Sequence, residues 1–192
     1  MSILNIAHRG NSALFHENTR QSFIQAVRDE AQMVETDVRL TSDNVLVLMH
    51  NPKTPNGYKV RNLTYAELSQ TFPGVICLDE FLLEFKDSFD INLEIKPNDK
   101  KIVDLVFELL KKHDCKDKVI LSCFYYDVID YARYIDKDIK IGVLFKNPYR
   151  RYLFKARQLK AYSVHPHWTL CSGGVIANCH RYGFRVFPWA VP

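Results

Sequence analysis

The chain has 192 residues and a mass of 22.4 kDa, a length typical of one domain, so we expect a single domain over residues 1–192. Its 47% hydrophobic and 25% charged residues are typical of globular proteins and exclude the disordered and fibrous classes. The longest apolar runs span only a few residues, so we expect neither a transmembrane segment nor a signal peptide. Scattered basic residues give a net charge of +4, which argues against nucleic acid as a partner and suits a small anionic substrate.

Cysteine usage indicates the compartment. The five cysteines are odd in number, widely spaced and without a CxxC pair, so neither a zinc ribbon nor a redox pair is predicted. We expect reduced thiols in a cytoplasmic protein.

Short β-rich runs alternate with amphipathic helical stretches along the chain. The predicted strands, in chain order, are Ile3–Ala7, Met33–Leu40, Val45–Met49, Ile91–Lys96, Val119–Phe124, Lys140–Phe145, Ala161–Val164 and Phe184–Trp189. The third follows the second across a polar turn and is predicted to form a hairpin with it. The other seven alternate with helices, which predicts a parallel sheet, either a closed barrel or an open doubly wound sheet.

Helical patterns occupy the segments between the strands. Thr64 and Glu67 have the spacing of a capping box, and Gly183 stands where a helix would end. Apolar residues at helical spacing predict four further helices, on Phe23, Ala26 and Val27; on Ile102, Leu105, Val106, Leu109 and Leu110; on Val128, Ile129 and Ala132; and on Tyr149, Tyr152, Leu153 and Ala156.

Carboxylates alternate with apolar residues in two predicted strands. Glu35 and Asp37 share one face of the second strand, and Glu94 lies on the polar face of the fourth. Both faces of a parallel sheet are usually covered, so such charges need to be neutralised. Three carboxylates at adjacent strand ends favour a hard divalent cation, Mg²⁺ or Ca²⁺. The alternative is a set of rim salt bridges with Arg9, Arg39 and Lys96.

Two histidines directly follow predicted strands. His8 follows the first strand, and His50 follows the third. Imidazole is the side chain suited to general acid and base catalysis near neutral pH. Beside His8, Arg9 offers a guanidinium fork for a phosphate, and Gly10 permits a close approach of the backbone.

Taken in order, these motifs resemble the glycerophosphodiester phosphodiesterase family. The resemblance is carried by His8-Arg9-Gly10, Glu17-Asn18-Thr19, Glu35-Thr36-Asp37-Val38, Thr41, Asp43, His50, Leu93-Glu94-Ile95-Lys96, Ser122-Cys123-Phe124 and Trp189-Ala190-Val191. It implies a TIM barrel that hydrolyses glycerophosphodiesters to glycerol phosphate and an alcohol, with one divalent cation. By position it implies that the metal ligands are Glu35, Asp37 and Glu94. It also implies His8 and His50 as the acid/base pair, with Arg9 on the phosphate and Lys96 on the phosphate or the substrate.

The sequence departs from the family pattern at three places. Asn51 stands where the family usually has Asp, His16 stands where it has Pro, and the family's Trp-Thr-Val-Asn is here Trp189-Ala190-Val191-Pro192. Asn51 keeps open the alternative of a catalytically impaired, phosphodiester-binding homologue. A lysophospholipase D, which shares this site chemistry, is the other alternative.

The resemblance also bears on the extent of the barrel. A TIM barrel typically has about 250 residues, with about 200 near the lower limit. With seven core strands predicted, we expect a TIM (β/α)8-type barrel that is incomplete at the C-terminus and lacks the last βα unit. All predicted site residues lie between His8 and Lys96, so this removes none of them. Unpaired strand edges lead us to expect association into a homo-oligomer.

Overall fold

The computed structural model describes residues 3–146 and 151–191, in two compact units, Met1–Val119 and Ile120–Pro192. The expectation of a single domain over the whole chain stays a prediction. Within the described residues, no helix is both long enough and apolar enough to cross a membrane.

The first unit is built around strand β2. Its strands are β1 (Ile6–His8), β2 (Met33–Leu40), β3 (Leu46–Leu48) and β4 (Asp90–Ile95). β2 pairs in parallel with β1 and β4, and antiparallel with β3, as the predicted hairpin requires. The register sets His8 opposite Glu35, and Asp37 opposite Glu94. The polar residues predicted on separate strands therefore lie at one edge of this sheet.

Four helices accompany these strands: α1 (Arg20–Arg28), α2 (Tyr65–Thr71), α3 (Leu78–Phe85) and α4 (Lys100–His113). α2 begins with the predicted capping box, in which Thr64 and Glu67 exchange hydrogen bonds. α3 was not predicted. It buries four apolar side chains, and two of them, Phe81 and Phe85, pack with Phe23 of α1 and with Phe89.

The second unit repeats the alternation of strand and helix. Its strands are β5 (Val119–Cys123), which begins at the last residue of the first unit, β6 (Lys140–Phe145), β7 (Ser163–Pro166) and β8 (Arg185–Val186). They pair in parallel in this order. Its helices are α5 (Tyr126–Ile135), α6 (Arg151–Gln158) and α7 (Gly173–Arg181), and Gly183 follows α7 with φ of +80°. The predicted positions Tyr149 and Pro192 lie outside the described residues.

Strand β8 is shorter than the predicted Phe184–Trp189. Past Val186 the Phe187 N–H donates to the Val164 carbonyl and the Trp189 N–H to the Pro166 carbonyl, each at 3.0 Å. Pro166 of β7 has no N–H to donate in return, so the regular ladder ends there. Within the described residues, seven parallel strands and one antiparallel hairpin strand are found, as predicted.

Candidate active site

Three carboxylates converge at the carboxyl ends of β2 and β4. Oxygen atoms of Glu35, Asp37 and Glu94 lie within 4.8 Å of one another. Asp37 is fully buried, and the side chains of Glu94 and Glu35 are 8% and 12% exposed. Glu35 Oε2 is buried and accepts no hydrogen bond from the described residues. An unsatisfied buried carboxylate oxygen is costly, so this arrangement calls for a cation.

Two basic side chains neutralise part of this charge. Lys96 Nζ lies 2.9 Å from Asp37 Oδ1 and 2.8 Å from Glu94 Oε1, and Arg9 Nε lies 3.1 Å from Asp37 Oδ2. The salt bridges that the sequence offered as an alternative are thus present for Arg9 and Lys96, alongside the carboxylate cluster. Arg9 also binds Glu17, with 2.6 Å between Nη1 and Oε2. Four carboxylates therefore face two cations.

Burial shifts the protonation equilibria of the acidic side chains. It raises the pKa of Glu35 well above its ordinary value, and the nearby Asp37 and Glu94 charges add to this rise. Burial also raises the pKa of Glu94. For Lys96 burial acts against the charged form, but Asp37 and Glu94 outweigh it and raise the pKa. Negative charge is in excess, so an added cation would be stabilised here.

The backbone that carries Arg9 is held in an uncommon conformation. Arg9 has φ of +60° and Gly10 has φ of +76°, in the left-handed region. The Arg9 N–H donates to the Glu35 carbonyl at 2.7 Å, and Ser22 Oγ donates to the Arg9 carbonyl at 3.1 Å. A Cβ at position 10 would lie 2.4 Å from Ser22 Oγ and 2.7 Å from the backbone carbon of Ser22. Glycine is therefore required for both the turn and the close packing.

Two neighbours of this turn had no predicted role. Asn18, 2% exposed, donates from Nδ2 to Asp37 Oδ2 at 3.0 Å. Its Oδ1 accepts a hydrogen bond from Thr36 Oγ1 at 2.7 Å, so the amide is oriented from both ends. Glu17 holds Arg9 as described above. Both residues belong to the Glu17-Asn18-Thr19 motif, and that motif was the available sequence signal.

His8 and His50 lie within electrostatic range of the same charges. His8 Nε2 is 3.6 Å from Glu35 Oε2, and the His8 side chain is 54% exposed. His50 is half-buried, and its carbonyl accepts a hydrogen bond from Arg39 Nε at 3.0 Å. Burial lowers the pKa of both imidazoles. The charges of four side chains act on both histidines: Arg9, Glu17, Asp37 and Lys96. All seven predicted site residues are thus brought together in the first unit.

A cleft of about 520 Å³ opens beside His50. We name it the His50 cleft; its lining includes Glu17, Asn18, His50, Asn51, Lys53 and Phe72. Since Glu17 and Asn18 contact Arg9 and Asp37, the cleft adjoins the charged cluster. A small molecule in this cleft would contact His50 and would lie beside Glu17 and Asn18, the two residues that hold Arg9 and Asp37.

Similarity to known proteins identifies this arrangement. The model of the glycerophosphoryl diester phosphodiesterase family matches residues 8–192. A glycerophosphodiester phosphodiesterase of Caldanaerobacter subterraneus is 29% identical over 100% of this chain and 86% of its own length. Human lysophospholipase D is 28% identical over 71% of this chain and 50% of its own length.

A solved structure shows the same fold. An Oleispira antarctica phosphodiesterase, determined in complex with the product sn-glycerol-3-phosphate, superposes with a TM-score of 0.89. It is 22% identical, and the match covers 97% of this chain and 83% of the other. The predicted fold class, an incomplete TIM-type α/β barrel with seven core strands, is confirmed. The chain belongs to the glycerophosphoryl diester phosphodiesterase family.

Proposed function

We propose that this enzyme hydrolyses glycerophosphodiesters to glycerol phosphate and an alcohol, using a divalent cation and two histidines. The observation that carries the proposal is the convergence of Glu35, Asp37 and Glu94 beside His8 and Arg9. The bound product of the Oleispira antarctica relative supports glycerol phosphate as a product. The similarity to the Caldanaerobacter enzyme over the whole chain supports the same substrate class.

The carboxylates suit a divalent cation. Glu35, Asp37 and Glu94 would hold it, because they offer hard oxygen ligands and no thiolate, the donor set that Mg²⁺ and Ca²⁺ prefer. With all four carboxylates ionised, which a bound cation would favour, they exceed the two basic side chains by two negative charges, and one divalent cation balances these. When bound, the cation supplies Lewis acidity, which withdraws charge from phosphoryl oxygens.

Arg9 is proposed to bind the phosphate, and Lys96 the phosphate or another part of the substrate. Both are held by carboxylates, so their charged ends are positioned before substrate arrives. Pre-positioned donors stabilise the charge that develops on phosphoryl oxygens without reorganising during the reaction. The left-handed turn at Arg9 and Gly10 fixes the direction from which the guanidinium enters the site.

His8 and His50 are proposed to move the protons. One imidazole accepts the proton of the nucleophile, either water or the neighbouring glycerol hydroxyl, as the new P–O bond forms. The other donates a proton to the alcohol oxygen as the old P–O bond breaks. When the glycerol hydroxyl attacks, the resulting cyclic ester is opened by water with the two roles exchanged. Each route ends with glycerol phosphate and an alcohol. The cyclic route returns both histidines to their starting states, whereas direct attack by water leaves their protonation states exchanged, and proton exchange with solvent then restores them.

A second candidate is a lysophospholipase D. The 28% identity to the human enzyme of that name favours it, and the same charged cluster would cleave the same bond. We rank it second because the match covers 71% of this chain, against 100% for the glycerophosphodiester phosphodiesterase. Relative rates on lysophospholipids and on deacylated diesters would separate the two candidates.

The cytoplasm is the proposed location. All five cysteines are free thiols, as expected in a reducing compartment. A small glycerophosphodiester is the proposed partner, and nucleic acid is not.

Histidine variants test the proposed mechanism. His8→Ala and His50→Ala should each reduce kcat by about 10²–10⁴-fold, because each removes one proton transfer. The double variant should lose much less than the product of the single losses, since the two act as a unit. His180→Ala, an exposed helical histidine of the second unit, is the matched control and should be unaffected. Near-normal turnover by His8→Ala would show that His8 is not one of the pair.

A further inference from the structure

The His50 cleft contains no unpaired negative charge. Glu17 is its only carboxylate among the described lining residues, and Arg9 binds that carboxylate at 2.6 Å. Lys53 is the only lysine or arginine among those lining residues. Among the described lining residues, a substituent of the substrate that enters the cleft therefore meets one charge without a salt-bridge partner, the positive charge of Lys53.

Lys53 belongs to a basic hairpin. From Asn44 to Ala66 the sequence has no aspartate or glutamate, but it has Lys53, Lys59 and Arg61. These three side chains are exposed, and none forms an ion pair with a carboxylate in the described part of the chain. The hairpin therefore presents positive charge on the side of the cleft that Lys53 lines.

The hairpin also fixes the position of Lys53. Lys53 and Lys59 are directly opposite each other in an antiparallel bridge. The N–H of Thr54 donates to the Tyr58 carbonyl at 2.9 Å, and Thr54 itself is 4% exposed. Like charges directly opposite across strands are destabilising. A negative or electron-rich group near Lys53 would relieve this repulsion, whereas a cation would increase it.

The cleft also lacks an aromatic cage. Ammonium head groups such as choline are typically bound by aromatic faces or by carboxylates. Phe72 is the only Phe, Tyr or Trp among the described lining residues, and its ring makes an edge contact with His16, with 4.9 Å between centroids. The described lining therefore offers a single aromatic ring rather than a cage, and its one carboxylate, Glu17, is already paired with Arg9.

We infer that the His50 cleft receives the alcohol substituent of the diester and selects neutral polyol or anionic substituents over cationic ones, with Lys53 as a specificity-determining residue. The inference rests on the proposed function and adds the class of alcohol. Glycerophosphoglycerol should be a better substrate than glycerophosphocholine.

The test compares these two diesters. In the wild-type enzyme, kcat/KM for glycerophosphoglycerol should exceed that for glycerophosphocholine by about tenfold, a ratio that falls as salt screens the charge. Lys53→Glu should reduce this ratio by about tenfold, and Lys53→Gln should give an intermediate value. Lys111→Glu reverses an exposed charge of the same unit on α4 and should leave the ratio unchanged.

Binding measurements keep this inference separate from the proposed function. Calorimetry with His8→Ala, which retains the cleft, should give the same order of Kd for the two diesters. The inference would be overturned if the wild-type enzyme showed equal kcat/KM for the two diesters or a higher value for the choline diester. It would also be overturned if Lys53→Glu left the ratio of kcat/KM unchanged, or if neither diester bound. Preferential binding of the glycerol diester without turnover by the wild-type enzyme would support the inference and contradict the proposed function.

Discussion

His165 of β7 is a buried histidine on which no charged side chain of the described residues acts. Its side chain is 2% exposed, its Nε2 lies 2.7 Å from Ser163 Oγ, and Gly142 packs directly against its ring. Burial lowers its pKa from 6.5 to about 3. The native protein therefore holds this imidazole in the neutral form throughout the mildly acidic range.

This burial predicts acid destabilisation. Between about pH 6.5 and pH 3 the unfolded chain binds a proton at His165 and the native protein does not, so the free energy of unfolding falls as the pH falls through this window. His165 should contribute a slope of at most about 1.4 kcal/mol per pH unit. Urea unfolding at pH 7, 6 and 5 measures it. His165→Gln should lose this contribution, whereas His180→Gln, at an exposed position, should keep it. Identical slopes in wild type and His165→Gln would contradict the expectation.

At the scale of residues, the sequence sufficed to predict the side chains proposed for chemistry, but not all of the residues that position them. Period-2 alternation suffices to place Glu35 and Asp37 on one face. Asn18 could not be assigned in this way, because its contact with Asp37 depends on a left-handed backbone, φ +57°, at a turn far away in the chain. Lys96 forms salt bridges with both Asp37 and Glu94, and this arrangement likewise depends on the register of β2 and β4.

At the scale of elements, the pair β2–β4 carries the candidate metal site and should link metal binding to stability. Mg²⁺ or Ca²⁺ at 100 times its Kd should stabilise the native protein by about 2.7 kcal/mol, which is about 5–10 °C in Tm at this chain length. Glu35→Gln should abolish the shift, because it removes one ligand of the cluster. Glu108→Gln, on the exposed side of α4, is the control and should preserve it. Thermal unfolding with chelator and with each metal measures this, and a wild-type Tm that neither metal raises would count against the site.

The helices and strands that were predicted correctly are those with clear local sequence signals. β2 and β6 have the predicted bounds, because both are continuous β-rich runs with clear ends. α3 escaped prediction, since Leu78–Phe85 is only eight residues long and its N-cap is Cys77, an unusual capping residue. Its helical state depends on burial of Phe81 and Phe85 against α1 and Phe89, which is tertiary information.

At the scale of the whole molecule, association between copies stays a prediction. Within the described residues of the second unit, β8 has one pairing partner, β7, and in the first unit β1 has one, β2. Unpaired backbone groups along a parallel edge are templates for pairing with another chain. Light scattering after size exclusion should therefore give a mass above 22.4 kDa. A stable monomer at micromolar concentration would refute this association.

Release of glycerol phosphate from glycerophosphodiesters, with and without chelator, tests the central proposal most directly. The proposed site predicts that the wild-type enzyme releases glycerol phosphate, that chelation abolishes the release and that Mg²⁺ or Ca²⁺ restores it. Glu35→Gln should behave like the chelated enzyme even when metal is added. Equal release in excess chelator would contradict the metal-dependent mechanism, and no release from any diester with either metal would contradict the proposed activity.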